Sequence, residues 1–229
     1  MLAIVDHRLK TEIKERLSFY AKLIEFKTSG ITYNAISGHP DIFMCQMDNL
    51  LIYSPSLPIY YIDLLKLNNI NIEEGETLIG EKYPFNIAYN AVVTKHFFIH
   101  NYQYTDPVII KNIKERKVIN VKQGYTRCSI LPVNDNSFIV SDKGVYEVLK
   151  KEATIDVLLI NNDNIIIEDF KNGFIGGTAG ICYNKCFFAG NLNYHKQGNL
   201  IKNFINSKKI EIIELGDYPL SDCGSIIFF

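Results

Sequence analysis

The final eleven residues, Pro219–Phe229, read PLSDCGSIIFF. A run of turn formers holding Cys223 between Asp222 and Gly224 gives way to plain strand, Ser225–Phe229. A hydrophobic strand with an open edge invites association with other chains, so this one needs a partner within the fold. The first five residues, MLAIV, read as a strand of the same character.

Working back along the chain, the same kind of turn recurs. GHPDIF starts at Gly38, YPFNIA at Tyr83, GYTRCS at Gly124 and GFIGGT at Gly173, with PLSDCG as the fifth. After each of the first four come a short strand, a polar turn and a second strand (NLLIYS, HFFIHN, SFIVSD, CFFAGN). A helix and a third strand complete the unit. The units run 38–82, 83–123, 124–172 and 173–218. One supersecondary unit repeated every 40 to 50 residues or so is the signature of a radial or stacked architecture. Residues 219–229 lack a helix and two strands, and residues 1–37 hold those parts as MLAIV, HRLKTEIKERLSFYAK and LIEF. Joined, the two pieces match the other units in length. The expectation is therefore an α+β fold, one domain over 1–229: a five-fold pseudosymmetric α/β propeller of ββαβ units, closed by pairing SIIFF with MLAIV. Among the helices, Asp6 is the expected cap for one with Leu9, Ile13, Leu17 and Leu23 near one face. Pro107 suits the first turn of another, and Leu200, Phe204 and Ile205 lie at helical spacing in a third.

The 24 basic and 25 acidic residues cancel, so no global field draws nucleic acid or an anionic membrane. Asp6, His7 and Arg8 interrupt the N-terminal apolar run where a signal peptide needs continuity, and no segment has the ~20 apolar residues of a membrane helix. Five cysteines, an odd number in a chain of 229 residues, fit free thiols and a cytoplasmic setting. Cys182 and Cys186 form no zinc motif without a second ligand pair, so neither metal nor cofactor is expected. The glycines of GFIGGTAG match neither a dinucleotide fingerprint nor a P-loop.

A ring of five such units resembles the pentein fold of guanidino-group-modifying enzymes. GHPDI, QGYTRCS, GFIGGTAG and DCGSI together are similar to an uncharacterised bacterial family of that fold. The resemblance implies a nucleophilic cysteine at the position of Cys223, and attack of its thiolate on a guanidinium carbon with loss of an amine. It also implies carboxylates that hold the planar cation and a histidine that moves protons. The chain departs from that pattern. GFIGGTAG carries neither histidine nor acid, Asn86 stands where the second unit has an aspartate, and Arg127 with Cys128 stand where the third has an acid.

What remains is another set around the same centre. His39 and Asp41, from a unit that neighbours the fifth, form a proton-transfer pair facing Cys223. Cys128 is a second candidate nucleophile, its pKa expected to fall beside the positive charge of Arg127. Arg127 and Asn86 are candidate substrate ligands, as are Asp222 beside Cys223 and Gly176 and Gly177, whose turn leaves backbone N–H groups for an anion. The expected partner is a small molecule at the axis, zwitterionic or anionic, and neither nucleic acid nor a membrane. The expected function is a cysteine-dependent hydrolase or transferase on a small C–N substrate, guanidino- or amidino-like or zwitterionic, through a covalent thio intermediate. The alternative is a non-enzymatic pentein that binds a small molecule or a macromolecular partner.

Overall fold

A computed structural model describes residues 1–229. The N-terminal stretch forms β1 (Leu2–Asp6), α1 (Thr11–Ser18) and β2 (Lys22–Phe26). The next unit begins with a single helical turn, α2 (Pro40–Phe43), followed by β3 (Met44–Met47), β4 (Leu50–Tyr53), α3 (Ile59–Leu67) and β5 (Ile72–Glu74). Then come β6 (Val92–Val93), β7 (Phe97–His100), α4 (Pro107–Lys111) and β8 (Lys117–Asn120). A second one-turn helix, α5 (Thr126–Ser129), leads into β9 (Ile130–Asn134), β10 (Ser137–Val140), α6 (Lys143–Leu149) and β11 (Asp156–Leu159). A 3-10 turn at Gly176–Thr178 precedes β12 (Ala179–Cys182), β13 (Lys185–Phe188), α7 (Gly198–Ser207) and β14 (Glu211–Glu214), and β15 (Ile227–Phe228) ends the chain.

The fold is mixed α/β, with five three-stranded sheets ordered β15-β1-β2, β3-β4-β5, β6-β7-β8, β9-β10-β11 and β12-β13-β14. In every sheet the middle strand runs antiparallel to one neighbour and parallel to the other. The parallel step needs a long crossover, which is why a helix stands there in each unit. The antiparallel step needs only a tight turn. Asp48 and Tyr183 take φ of 52° and 53° in two of these, the left-handed backbone that matches strand twist. The middle strands β7 and β10 are buried throughout, as continuous apolar runs covered on both faces require.

The expected pairing of the chain ends is present. Ala3 lies opposite Phe228 and Ile4 opposite Ile227, with backbone bonds from Leu2 N to Phe229 O (2.8 Å) and Phe229 N to Leu2 O (2.9 Å). The paired stretch is shorter than Ser225–Phe229, because Gly224 and Ser225 both take φ of 64° and belong to the preceding turn. Phe187 packs on Phe228 with ring centroids 5.0 Å apart, so β13 and β15 share a core with Ile13 and Leu17 of α1.

Apart from the single turns α2 and α5, the helices have only 5 to 10 residues, too short to persist alone, so packing of one apolar face holds each. Asp106 caps α4 as an acceptor from Val108 N, and Asp142 caps α6 from Val145 N. Two expectations are corrected. Asp6 does not cap α1, whose cap position is Lys10. The Asp6 carboxylate instead accepts from the backbone and guanidinium of Arg8 (2.6–3.2 Å), a stronger, charge-assisted set. In α7 the core face is Ile201 and Ile205, and Leu200 is exposed. No helix is long and apolar enough to cross a membrane.

Candidate active site

The turns that lead into the first strand of each unit converge, and GHPD meets DCGS at their junction. Gly224 sits so close to His39 that a Cβ would lie 2.2 Å from the histidine Cβ, which together with its positive φ makes glycine obligatory. Asp41 N donates to Gly224 O (3.4 Å) and Ser225 Oγ donates to Asp41 Oδ2 (3.1 Å). The first and fifth units are therefore neighbours, as their positions in the repeat demand.

Cys128 comes to the same place from α5. Its thiol donates to Asp41 Oδ2 (3.3 Å), Asn90 Nδ2 donates to its sulfur (3.3 Å), and Asn90 Oδ1 accepts from its backbone N–H (3.2 Å). Donor atoms of His39, Asp41 and Cys128 all lie within 4.8 Å of one another, and all three residues are buried. The His39 ring nitrogens stand 3.8 Å from Asp6 Oδ2 and 4.0 Å from Asp222 Oδ1. Nδ1 of His39 and Oδ1 of Asp41 are buried without a hydrogen-bond partner. Unpaired polar atoms of this kind are rare in folded interiors and point to a functional constraint.

A cavity of about 240 Å³ opens onto this cluster. His39, Cys128 and Asp222 line it together with Tyr33, Tyr125, Phe170 and Phe174. Its aromatic wall is held in place by a relay in which the Tyr33 and Tyr125 hydroxyls lie 2.9 Å apart and Tyr125 donates to Asn86 Oδ1 (2.9 Å). No lysine or arginine lines it.

The other expected residues are distributed differently. The Cys223 thiol donates to Gly177 O (3.3 Å), packs in the apolar core with Ala3, Val5 and Phe187, and does not line this cavity. Arg127 turns away from Cys128 and donates to the carbonyls of Gly176 (2.8 Å), Ile130 (3.3 Å) and Ala179 (3.3 Å). It lines a separate cavity of about 130 Å³ that also reaches Asp41 and Ser225, and it pairs with neither Asp41 nor Asp222. Asn86 contacts Tyr125, Thr32 and the Glu81 carbonyl rather than either thiol. Gly176 and Gly177 are dictated by crowding. A Cβ on the first would lie 2.1 Å from Arg127 O, and on the second 1.8 Å from Asp222 Oδ1.

The expected electrostatics of Cys128 are reversed. Burial, then the carboxylates of Asp41 and Asp222, push its thiol well above the ordinary range, and Arg127 does not face the sulfur. Cys223 is likewise pushed up, by burial first and then by Asp222, Asp6 and Asp41. Burial also raises the Asp222 carboxyl, against the charge of His39 and the N–H groups of Phe174 (2.8 Å) and Gly224 (3.2 Å).

Three contributors escaped the sequence reading: Asp6, Asn90 and Ser225. Asn90 had a visible signal. YPFNIAYN runs longer before its strand than the other turn motifs, so Asn90, two residues ahead of β6 as Cys128 is of β9, corresponds to the site position better than Asn86 does.

Among solved structures, the chain is similar to SxtG, an amidinotransferase from Microseira wollei in the saxitoxin biosynthetic pathway. The TM-score is 0.55 at 10% identity, over 93% of this chain and 87% of that one. A Campylobacter jejuni (C. Jejuni) agmatine deiminase aligns at a TM-score of 0.31 and 11% identity, over 89% of this chain and 54% of that one. The first likeness, at so low an identity, is one of fold alone. No curated protein sequence matches significantly. The family model described as "Family of unknown function (DUF6873)" matches residues 4–227, and the chain belongs to that family.

Proposed function

We propose that residues 1–229 form one closed five-unit pentein propeller, and that it is a cysteine-dependent hydrolase or transferase acting on a small guanidino- or amidino-like cation. Cys128 is the nucleophile, Asp41 the acceptor of its proton, and His39 the proton-transfer group toward the leaving amine. The observation that carries this reading is the meeting of Cys128, His39 and Asp41 within 4.8 Å, with His39 and Cys128 in the wall of the 240 Å³ cavity. That cavity has aromatic faces and Asp222 and is lined by neither lysine nor arginine, which suits a planar cation better than the anionic ligand its sequence implied.

In the reaction, sulfur bonds to the central carbon as the thiol proton passes to Asp41 Oδ2. The C–N bond to the leaving amine breaks, with its electron pair staying on nitrogen and a proton arriving from His39. Water or an acceptor amine, deprotonated by His39, then displaces Cys128 from the amidino-thio intermediate. A raised thiol pKa is compatible with this scheme because a bound cation supplies the positive charge that a thiolate needs.

The test uses chloroacetamidine, a planar cation, against neutral chloroacetamide, with sites of labelling read by mass spectrometry. The expected result is preferential amidine labelling of Cys128, lost in Cys128→Ser and retained in Cys223→Ser. Equal, sluggish labelling of all five thiols overturns the catalytic reading and leaves a non-enzymatic binder. For any amine-releasing turnover found, His39→Ala lowers kcat more than it raises KM.

A further inference from the structure

The charge around His39 calls for more than an organic substrate. Asp6 is neutralised by Arg8, but Asp41 and Asp222 form no ion pair with any lysine or arginine. Two carboxylates buried to 2% and 6% exposure thus share one histidine and a thiol. Arg127 acts on Asp41 at longer range, but no lysine or arginine contacts either carboxylate directly, so the cluster has capacity for a further positive charge. Its donors are also of a particular kind: one imidazole nitrogen, one carboxylate oxygen and one sulfur, arriving from α2, its flanking turn and α5. Two independent atoms, His39 Nδ1 and Asp41 Oδ1, lack any protein partner though their residues are 1% and 2% exposed.

We propose that His39, Asp41 and Cys128 form a binding site for a borderline-soft divalent cation, with zinc the best match. Nitrogen, oxygen and sulfur ligands at about 2.0–2.3 Å from zinc stand roughly 3.3–3.7 Å apart in a tetrahedron. The Cys128–Asp41 separation of 3.3 Å already meets that requirement, and the imidazole needs a shift of at most about 1.5 Å from its present limit of 4.8 Å. Zinc replaces the thiol proton, which leaves to water. A dication with one thiolate and one carboxylate is then neutral, as burial favours. The fourth position opens toward the 240 Å³ cavity, because His39 and Cys128 both line it. Hard cations such as magnesium, which prefer oxygen and retain water, are disfavoured by the sulfur. Binding does not depend on Cys128 being a nucleophile; the consequence that zinc inhibits turnover rests on that reading.

The experiment titrates chelator-treated protein with Co²⁺ and follows the thiolate-to-cobalt charge-transfer band, then displaces it with Zn²⁺. One equivalent per chain is expected. The band is lost in Cys128→Ser, unchanged in Cys182→Ser, and the affinity falls by at least about tenfold in His39→Ala and Asp41→Asn. Melting curves establish that each variant is folded. Should Cys128→Ser not fold, zinc protection of Cys128 from alkylation in the unaltered protein reads the same contact. A missing band, a band that follows Cys182 instead, or alkylation of Cys128 indifferent to zinc each overturns the proposal. Zinc binding without selective amidine labelling removes the catalytic reading and leaves the metal site, and labelling without the cobalt band does the reverse.

Discussion

Replacing Gly177 with alanine drives a methyl group into the carboxylate of Asp222. The ideal Cβ lies 1.8 Å from Oδ1 and 2.5 Å from Cγ, so the carboxylate has to retreat by more than ~1 Å to reach ordinary contact. That movement breaks the bonds from Phe174 N (2.8 Å) and Gly224 N (3.2 Å), in a side chain that is buried. Hydrogen bonds to a charged group contribute about 1.5–3 kcal/mol each, so the expected loss is ~3–5 kcal/mol. At ~2–4 °C per kcal/mol for a chain of this size, apparent Tm drops by roughly 6–20 °C. The decisive arm is a double-mutant cycle read by thermal and urea melts. Asp222→Ala removes the three atoms nearest the new methyl, so Gly177→Ala in that background costs less than ~1 kcal/mol and the coupling is ~3 kcal/mol. Equal costs in the two backgrounds, or a single variant within ~1 kcal/mol of the parent, refute the argument that crowding by Asp222 selects glycine here.

Two further outcomes follow from the fold. His100 is fully buried between Thr105 Oγ1 (2.7 Å) and Gly124 O (3.3 Å), and burial lowers its pKa to about 4. The unfolded chain takes up that proton near pH ~6.5, so the stabilisation is complete above ~6.5 and is lost as pH falls toward ~4, roughly 3 kcal/mol in all. His100→Gln flattens the urea midpoint across that window, and an unchanged slope contradicts the assignment. At the joined chain ends, Phe228→Ala removes a buried ring packed on Phe187 and costs ~3–5 kcal/mol in urea melts, whereas Phe19→Ala, 86% exposed, leaves the midpoint in place.

Much of the architecture was legible because it is periodic. Unit length and the missing parts of the last unit required the chain ends to meet, and Ala3 does face Phe228. GHPD and DCGS were recognisable as site segments because glycine, proline and acidic turn residues stand out against apolar strands. Side-chain direction was not legible. Arg127 and Cys128 are adjacent in sequence, yet on a helical turn adjacent side chains diverge, so the guanidinium meets the carbonyls of the Gly176 turn and the thiol meets Asp41.

The repeat, the number of units and the partner of the last strand follow from hydrophobic period and spacing along the chain. Packing between distant segments brings Cys128, rather than Cys223, to a cavity with His39. It also turned Asp6 from a helix cap into a neighbour of that histidine, and set Asn90 beside the thiol in place of Asn86. The physical reason is that burial, counterions and the aim of a side chain are set by whatever packs against it from distant parts of the chain, and a local pattern of residues carries no record of that.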